Sequence, residues 1–169
     1  MTKQLQTPWQ RAVSFAARKH AGQLRKDGQT PYFAHPVRVA IIVQHVFGHA
    51  DETALVAALL HDVIEDTTVD YDKLSEDFGC DVANAVAALS KDSRLPEEQR
   101  EAEYDRQLSA ASWQARLVKL ADVYDNYCDA RNDQERAKYA ERAERAIRCA
   151  GDAPELAQAV TAVRDLIGD

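Results

Sequence analysis

Apolar residues recur every three or four positions along most of this chain, which is the period of an amphipathic α-helix. The first such stripe joins Val13, Ala16, Ala17 and His20, and Pro8 stands where the first turn of that helix would begin. Alternation of apolar and polar residues, the period of a β-strand, never continues for more than a few positions. The pattern therefore predicts an all-α fold.

The same helical period returns in later segments, which are separated by short polar stretches carrying Gly, Pro or Asp. Helices are predicted at residues 36–46, 53–66, 70–78, 82–91, 96–106, 113–130, 135–150 and 154–167. The least helical stretch, residues 21–31, contains Gly22, Gly28 and Pro31. It predicts a loop, with room for one small β-hairpin near residues 23–33.

The third predicted helix, residues 53–66, is apolar on every side in its first half, which is typical of a helix surrounded by protein. It nevertheless ends in a histidine and three carboxylates, at His61, Asp62, Glu65 and Asp66. Burying such charges without partners costs several kcal/mol each. The helix end therefore predicts a source of positive charge close by.

A bound divalent cation would supply that charge. His61 and Asp62 offer one nitrogen and one oxygen ligand, a mixture that suits Mn²⁺, Fe²⁺ or Zn²⁺. Two ligands are too few, and His35, held by Pro36 at the start of the second helix, is one further candidate. Asp122, which interrupts the apolar face of the seventh helix, is the other. Taken singly, each of these residues also has an ordinary explanation as a helix start or a solvated carboxylate.

The composition agrees with a globular helical protein. Of 169 residues, 46% are hydrophobic and 29% charged, with six glycines and five prolines, which excludes collagen-like and disordered chains. No apolar run approaches the roughly 18–20 residues that a bilayer span requires, and no secretory signal is expected at the beginning of the chain. We expect a single domain over residues 1–169, with its motifs at about 9–130 and C-terminal helices within 131–169.

The charge balance narrows the classes of partner. A net charge of −7 and a pI of about 5.2 argue against a broad basic surface for nucleic acid or anionic lipid, although a local basic patch could hold a small phosphorylated ligand. The three cysteines lack a Cys-x-x-Cys spacing, so they predict neither a disulfide framework nor a zinc knuckle. A cytoplasmic, reduced location is expected.

Three motifs follow one another along the chain: His35-Pro36, then His61-Asp62-Val63-Ile64-Glu65-Asp66, then Leu120-Ala121-Asp122 with Asn126 beyond it. In this order they resemble the HD-domain phosphohydrolases. More narrowly, they resemble the hydrolase domain of the RelA/SpoT family and its stand-alone small alarmone hydrolases. The resemblance covers about residues 9–126 and implies an HD-domain helical bundle.

The resemblance also implies a metal site and a reaction. His35, His61, Asp62 and Asp122 match the four metal ligands of that family, in which the usual ion is Mn²⁺, with another divalent transition metal as the alternative. The family reaction removes the 3′-pyrophosphate from guanosine tetra- or pentaphosphate and yields GDP or GTP and pyrophosphate. Because 169 residues leave no room for a synthetase domain, alarmone synthesis is not expected.

Further roles follow from position and resemblance together. Glu65 and Asp66 lie one helical turn beyond the ligands, where they could orient or deprotonate a water molecule or protonate the leaving group. Arg25 and Lys26 on the glycine-flanked loop could stack on a base and hold phosphate, or could be ordinary solvated residues. Asn126 matches a family residue that contacts the nucleotide sugar.

The segment after Asp122 departs from the family pattern. Where the family usually has Arg-Leu-His-Asn-Met-Arg-Thr, this chain has Val123-Tyr124-Asp125-Asn126-Tyr127-Cys128-Asp129. Asp129 therefore replaces a threonine that helps to read guanine. Its carboxylate could accept from guanine N–H groups, or it could line the pocket mouth and repel phosphate.

The leading hypothesis is an Mn²⁺-dependent alarmone hydrolase whose partner is a small phosphorylated nucleotide, without nucleic acid or membrane partners. One alternative keeps the site but changes the substrate to NADPH or a nucleoside monophosphate. Another is a nucleotide sensor without turnover, which intact Glu65 and Asp66 argue against. The oligomeric state stays open.

Overall fold

The computed structural model describes residues 6–168, so residues 1–5 and 169 of the predicted domain lie outside the described residues. Over that range the secondary structure is helical, which confirms the all-α prediction. The α-helices are α1 (Pro8–Lys19), α2 (Ala34–Ile41), α3 (Glu52–Leu60), α4 (Val63–Asp66), α5 (Tyr71–Phe78), α6 (Cys80–Leu89), α7 (Glu97–Ser109), α8 (Trp113–Cys128), α9 (Asp133–Ala150) and α10 (Ala157–Ile167). A π-helical turn (Ile42–Val46) continues α2, and a 3₁₀ turn (Pro154–Leu156) precedes α10.

Helix α1 begins at the proline that the sequence pattern indicates. Thr7 and Gln10 form a capping box around Pro8, in which each side chain accepts from the other residue's backbone N–H. These bonds satisfy N–H groups that have no partner inside the helix, and the fixed φ of proline suits its first turn. The predicted start of the first helix is therefore confirmed.

The all-apolar helix lies where its composition predicts. Helix α3 packs against α1, α2, α6 and α8, and its Val56 and Leu60 are 1% and 0% exposed. Burying a side chain of this size contributes about 1.5–3 kcal/mol relative to leaving it in water. Helix α3 is thus the centre of the core, and its carboxyl end delivers the histidine and carboxylates to the interior.

The predicted helix 53–66 is wrong in one respect, because it divides into α3 and α4 at His61 and Asp62. The Ala58 carbonyl oxygen accepts from Nδ1 of His61 at 2.7 Å. That bond competes for the acceptor which an unbroken helix offers to the Asp62 amide. Both residues keep right-handed helical dihedral angles, and the Asp66 amide donates to the Asp62 carbonyl at 2.9 Å, so helical hydrogen bonding resumes directly in α4.

The loop between α1 and α2 contains less β-structure than a hairpin. A single antiparallel bridge joins Leu24 and Pro31, and no strand extends from it within the described residues. Pro31 has no N–H to continue a ladder, and Asp27 accepts from the backbone N–H groups of Gln29 and Thr30 instead. The hairpin near residues 23–33 is therefore reduced to one bridge that closes a tight loop.

The remaining elements enclose the centre. Helix α8 packs against α2, α3, α9 and α10. It therefore contacts both the helix that carries His35 and the helix that leads into His61. The second predicted helix ends in the π-helical turn. In this turn the Phe47 amide donates to the Ile42 carbonyl at 2.9 Å. No helix in residues 6–168 has the length and apolar character needed to cross a membrane.

Candidate metal and nucleotide site

The four residues predicted as metal ligands converge from three helices. His35 lies in the first turn of α2, His61 and Asp62 lie at the junction of α3 and α4, and Asp122 lies on α8. Nε2 of His35 is 3.2 Å from Oδ1 of Asp122 and 3.6 Å from Oδ2 of Asp62. Nε2 of His61 is 3.0 Å from Oδ2 of Asp62 and 3.9 Å from Oδ1 of Asp122. Residues up to 87 positions apart in the sequence thus share one cluster.

The two imidazoles present the same nitrogen to this cluster. Nδ1 of His61 donates to the Ala58 carbonyl at 2.7 Å, and Nδ1 of His35 donates to Oδ2 of Asp125 at 2.6 Å. Each ring therefore turns its Nε2 toward the carboxylates, and this is the nitrogen that a metal ion would bind in place of a proton. Nε2 of His61 is buried and has no hydrogen-bond partner, which is the arrangement that a metal ion would complete.

The electrostatics of the cluster point the same way. Burial disfavours a charged His61, but the carboxylates of Asp62 and Asp122 outweigh it and raise the pKa of this imidazole to about 9. Burial also opposes ionisation of the carboxyls, yet His61 lowers the pKa of Asp62 to about 2, and Lys119 holds the pKa of Asp122 well below its usual range. The cluster requires positive charge beside two ionised carboxylates, and the donor set of two imidazole nitrogens and two carboxylates fits a divalent transition metal.

Neighbouring side chains fix the two carboxylates. The hydroxyl of Tyr32 donates to Oδ2 of Asp62 at 2.7 Å. Nζ of Lys119 donates to Oδ2 of Asp122 at 2.8 Å, and Nδ2 of Asn126 donates to Oδ1 of the same carboxylate at 2.6 Å. These bonds hold the carboxylates in one orientation, which a metal site needs in order to keep its geometry.

Glu65 and Asp66 lie on α4 and line the same pocket as the cluster. Desolvation raises the pKa of Glu65, and the backbone N–H of Lys91 donates to its Oε2 at 3.2 Å. That bond directs the carboxylate, and the raised pKa of Glu65 lies closer to neutral pH than that of an ordinary glutamate. Both properties suit a general base. Glu65 and the adjacent Asp66 both lie at the solvent-exposed end of the helix.

A cavity of about 310 Å³ opens over the cluster. Beside the carboxylates of the cluster and of α4, its walls carry five cationic side chains, namely Arg25, Lys26, Lys91, Lys119 and Arg142. Because the chain as a whole carries a net charge of −7, this concentration of positive charge is local. The pocket therefore matches the predicted local basic patch for a small phosphorylated ligand.

The four residues predicted to bind substrate all lie at this pocket or directly beside it. Nη2 of Arg25 donates to Oδ1 of Asn126 at 3.0 Å and to Oδ2 of Asp129 at 2.8 Å. Nζ of Lys26 donates to the hydroxyl of Tyr139 at 2.6 Å. Oδ2 of Asp129 is therefore paired with an arginine, which compensates the negative charge of this carboxylate.

Several residues of the site were not identified from the sequence. Tyr139 and Arg142 of α9 line the pocket, although helix α9 reads only as an amphipathic C-terminal helix. Asp125 and Arg38 support His35, and their spacing of three residues from Asp122 and His35 on the same helix faces is the signal that could have found them. By contrast, Arg116 of α8 donates to the Ala150 carbonyl and does not line the pocket.

Comparison with known proteins adds independent information. The HD domain family model matches residues 12–147. The guanosine-3′,5′-bis(diphosphate) 3′-pyrophosphohydrolases of Xenopus tropicalis and Homo sapiens are 43% and 44% identical to this chain over 119 residues, which is 70% of it. The match spans 66% of the length of each of these relatives.

Solved structures agree with the sequence comparison. A structure described as a metazoan ortholog of SpoT that hydrolyses ppGpp and plays a role in starvation responses is similar, with a TM-score of 0.84 and 28% identity. The similarity covers 96% of this chain and 95% of that one. A Listeria monocytogenes protein, with a TM-score of 0.61 and 24% identity over 81% of this chain and 98% of that one, shows the same fold.

Proposed function

Because this chain belongs to the HD-domain family, we propose that it is a metal-dependent phosphohydrolase acting on guanosine tetra- or pentaphosphate. The reaction removes the 3′-pyrophosphate and yields GDP or GTP and pyrophosphate. One observation carries the proposal: two histidines and two carboxylates converge below a cation-lined pocket, with the Nε2 of His61 buried and unpartnered. The similarity to pyrophosphohydrolases of this specificity supports the choice of substrate.

The metal would be held by His35, His61, Asp62 and Asp122, and we propose Mn²⁺ as the ion. Ligand atoms of His35, His61 and Asp62 all lie within 4.8 Å of one another, and Oδ1 of Asp122 adjoins both imidazoles. A divalent ion bound there supplies a lowered pKa for water and positive charge against the phosphoryl oxygens. The mixture of nitrogen and oxygen donors suits Mn²⁺ and also accommodates Fe²⁺ or Zn²⁺.

Proton transfer is assigned to the carboxylates of α4. Glu65 takes a proton from the attacking water, since its raised pKa and its bond from the Lys91 amide suit a directed general base. The water oxygen joins the phosphorus as the bond from phosphorus to the 3′-oxygen breaks. The 3′-oxygen then needs a proton, which the protonated Glu65 can deliver directly or through Asp66.

Nucleotide binding is assigned to the other end of the pocket. Arg25, held by Asn126 and Asp129, offers a planar cation for a base or a phosphate, and Lys26 adds a point charge. Asn126 also donates to Asp122, so the residue placed near the sugar contacts a ligand of the metal. Asp129 serves in this scheme to orient Arg25.

A second candidate is hydrolysis of a different phosphorylated nucleotide, such as NADPH or a nucleoside monophosphate. The pairing of Asp129 with Arg25 at 2.8 Å favours this candidate, because it commits Oδ2 of this carboxylate to an arginine and leaves a single oxygen for guanine N–H donors. A weaker base reader makes phosphate a larger part of the selection.

A turnover screen tests the proposal. Purified protein with Mn²⁺ is assayed against guanosine tetraphosphate, NADPH and nucleoside monophosphates, with excess chelator and the His61→Ala variant as controls. We expect pyrophosphate release from guanosine tetraphosphate that disappears in both controls. Hydrolysis of NADPH or monophosphates alone would select the second candidate, and no turnover of any substrate would refute both.

We also propose that the polypeptide works as one HD-type domain in the cytoplasm, with its motifs at about residues 9–130. The family match over residues 12–147 and one continuous apolar core support the single domain. The three free cysteines, Cys80, Cys128 and Cys149, suit a reducing compartment.

A further inference from the structure

We propose that Asp125 is a positioning residue that orients His35 for metal binding, and that Arg38 holds Asp125 in place. The inference rests on the metal role that the proposed function gives to His35. Asp125 stands where the resembled family usually has histidine, so this carboxylate is a feature of this chain. It lies behind His35 on the side away from the ligand cluster.

The arrangement consists of two pairs on facing helices. His35 and Arg38 are three residues apart on α2, and Asp122 and Asp125 are three residues apart on α8, so each helix carries one predicted ligand and one supporting residue on the same face. Oδ2 of Asp125 accepts from Nδ1 of His35 at 2.6 Å. Both partners are buried, at 4% and 1% exposure, so water does not weaken the bond.

Arg38 contacts the same carboxylate from the other direction. Its Nε donates to Oδ1 of Asp125 at 2.7 Å, and its Nη2 donates to Oδ2 at 3.0 Å. Three N–H groups therefore converge on two oxygens, and only a group without hydrogens of its own can accept from all of them. Asparagine at position 125 would direct its NH₂ group at Arg38 or at His35 in either orientation of the amide.

The position of the proton on His35 gives this contact its function. Because Nδ1 donates to Asp125, Nε2 is the nitrogen that faces Asp62 and Asp122 and that is left to bind a metal ion. An NH₂ group at position 125 that donated to Nδ1 would favour the tautomer with a proton on Nε2, which cannot bind a metal. The Asp125 carboxylate thus selects the tautomer that binds metal.

The positive charge of Arg38 offsets the free-energy cost of burying the Asp125 carboxylate. Arg38 and Asp125 together are neutral, so Asp125 stays ionised without requiring a full positive charge on His35. Nη2 of Arg38 also lies 3.3 Å from Oδ2 of Asp129, the carboxylate that holds Arg25. One chain of ionic contacts therefore joins the support of a metal ligand to the arginine assigned to the nucleotide.

Metal affinity tests the inference directly. Mn²⁺ and Zn²⁺ dissociation constants are measured by competition with a chromophoric chelator for the wild type, Asp125→Asn and Arg38→Gln. We expect Asp125→Asn to weaken binding about 10–100-fold, the usual effect of removing a partner behind a metal-bound histidine. Arg38→Gln should weaken it less, because the carboxylate remains. At saturating metal, the kcat of each variant should lie closer to the wild-type value than its metal affinity does.

Asp105→Asn is the matched control. Asp105 also accepts from both Nε and Nη2 of one arginine, Arg145, but it contacts no histidine. Its substitution removes an ion pair of the same type, so its metal affinity should equal that of the wild type. Circular dichroism and thermal unfolding show which variants are folded, and Arg38→Gln supplies the test if Asp125→Asn does not fold.

The outcomes separate this inference from the proposed function. Unchanged metal affinity in folded Asp125→Asn and Arg38→Gln overturns the positioning role, and so does an equal loss in Asp105→Asn. Absence of metal binding in the wild type overturns both the positioning role and the metal site. Weakened metal binding in the variants, together with a wild type that hydrolyses no nucleotide, supports the positioning role and refutes the proposed function.

Discussion

Removal of the metal should lower the thermal stability of the folded protein. In the proposed site, His35, His61, Asp62 and Asp122 bind the ion only in the folded state, because the unfolded chain separates them. An ion that binds the folded state alone stabilises it by mass action. Excess chelator should therefore shift the unfolding temperature downward.

The size of the shift follows from the metal concentration. At a free metal concentration of 100 times Kd, the stabilisation is about 2.7 kcal/mol. For a domain of this length, each kcal/mol moves Tm by about 2–4 °C, so the expected shift is about 5–11 °C. Each further tenfold increase in metal adds about 1.4 kcal/mol and about 3–6 °C.

Thermal unfolding followed by circular dichroism, with Mn²⁺ or with chelator, measures this shift. In His61→Ala the shift should disappear, because the variant lacks a ligand nitrogen. His20→Ala is the matched control: His20 is also a buried histidine with an unpartnered Nε2, but it lies outside the cluster. This control should unfold at a lower temperature than the wild type and still respond to Mn²⁺.

Two results would refute the reasoning. A wild-type Tm that changes by less than about 1 °C on chelation, at a metal concentration shown to saturate the protein, would mean that the ion does not stabilise the fold. A full metal-dependent shift in His61→Ala would place the ion elsewhere. Loss of the metal response in His20→Ala would show that replacing any buried histidine abolishes it, so that the effect of His61→Ala would not identify a metal ligand.

Four substitutions test other parts of the structure one at a time. Glu65→Gln should keep the metal-dependent Tm shift and lose about 10²–10⁴-fold in kcat, since an amide cannot take the proton; retention of half the wild-type kcat would move the base to another residue. Arg25→Gln should raise KM for the nucleotide about tenfold or more, as a lost charge-assisted hydrogen bond does, and an unchanged KM would remove Arg25 from the substrate site. Asp129→Thr should also raise KM because it releases Arg25, whereas a lower KM at low ionic strength would support simple repulsion of phosphate by Asp129. Leu60→Ala should cost about 2–5 kcal/mol in urea unfolding, because Leu60 is fully buried in α3, and a cost below 1 kcal/mol would contradict that packing.

The sequence by itself predicted the helical architecture and the convergence of the four candidate ligands. The helical period is written in the spacing of apolar residues, so α1, α5 and α8 could be placed closely from local information. The fully apolar segment 54–60 predicted a central helix, and the charged residues at its end predicted a source of positive charge close by. The inferences about helices succeed because each depends on residues within about two helical turns, whereas the convergence of the ligands was inferred from their shared need for positive charge and from the family resemblance.

Local details were less predictable where two bonding arrangements compete. The division of the helix at His61 depends on one side chain taking the Ala58 carbonyl, and the reduction of the hairpin depends on Asp27 taking two amides. Both competing arrangements are compatible with the same apolar pattern. The choice between them depends on which side-chain contacts the surrounding packing favours.

The tertiary structure alone decided the partners of the polar residues. His35 meets Asp125 across 90 positions of sequence, and Arg25 meets Asp129 across 104, so neither contact leaves a trace in local periodicity. The sequence left Asp129 either reading a base or repelling phosphate, and the structure pairs it with two arginines. The physical reason is that apolar burial specifies which faces of α2 and α8 meet, and the polar side chains on those faces then pair according to geometry and charge.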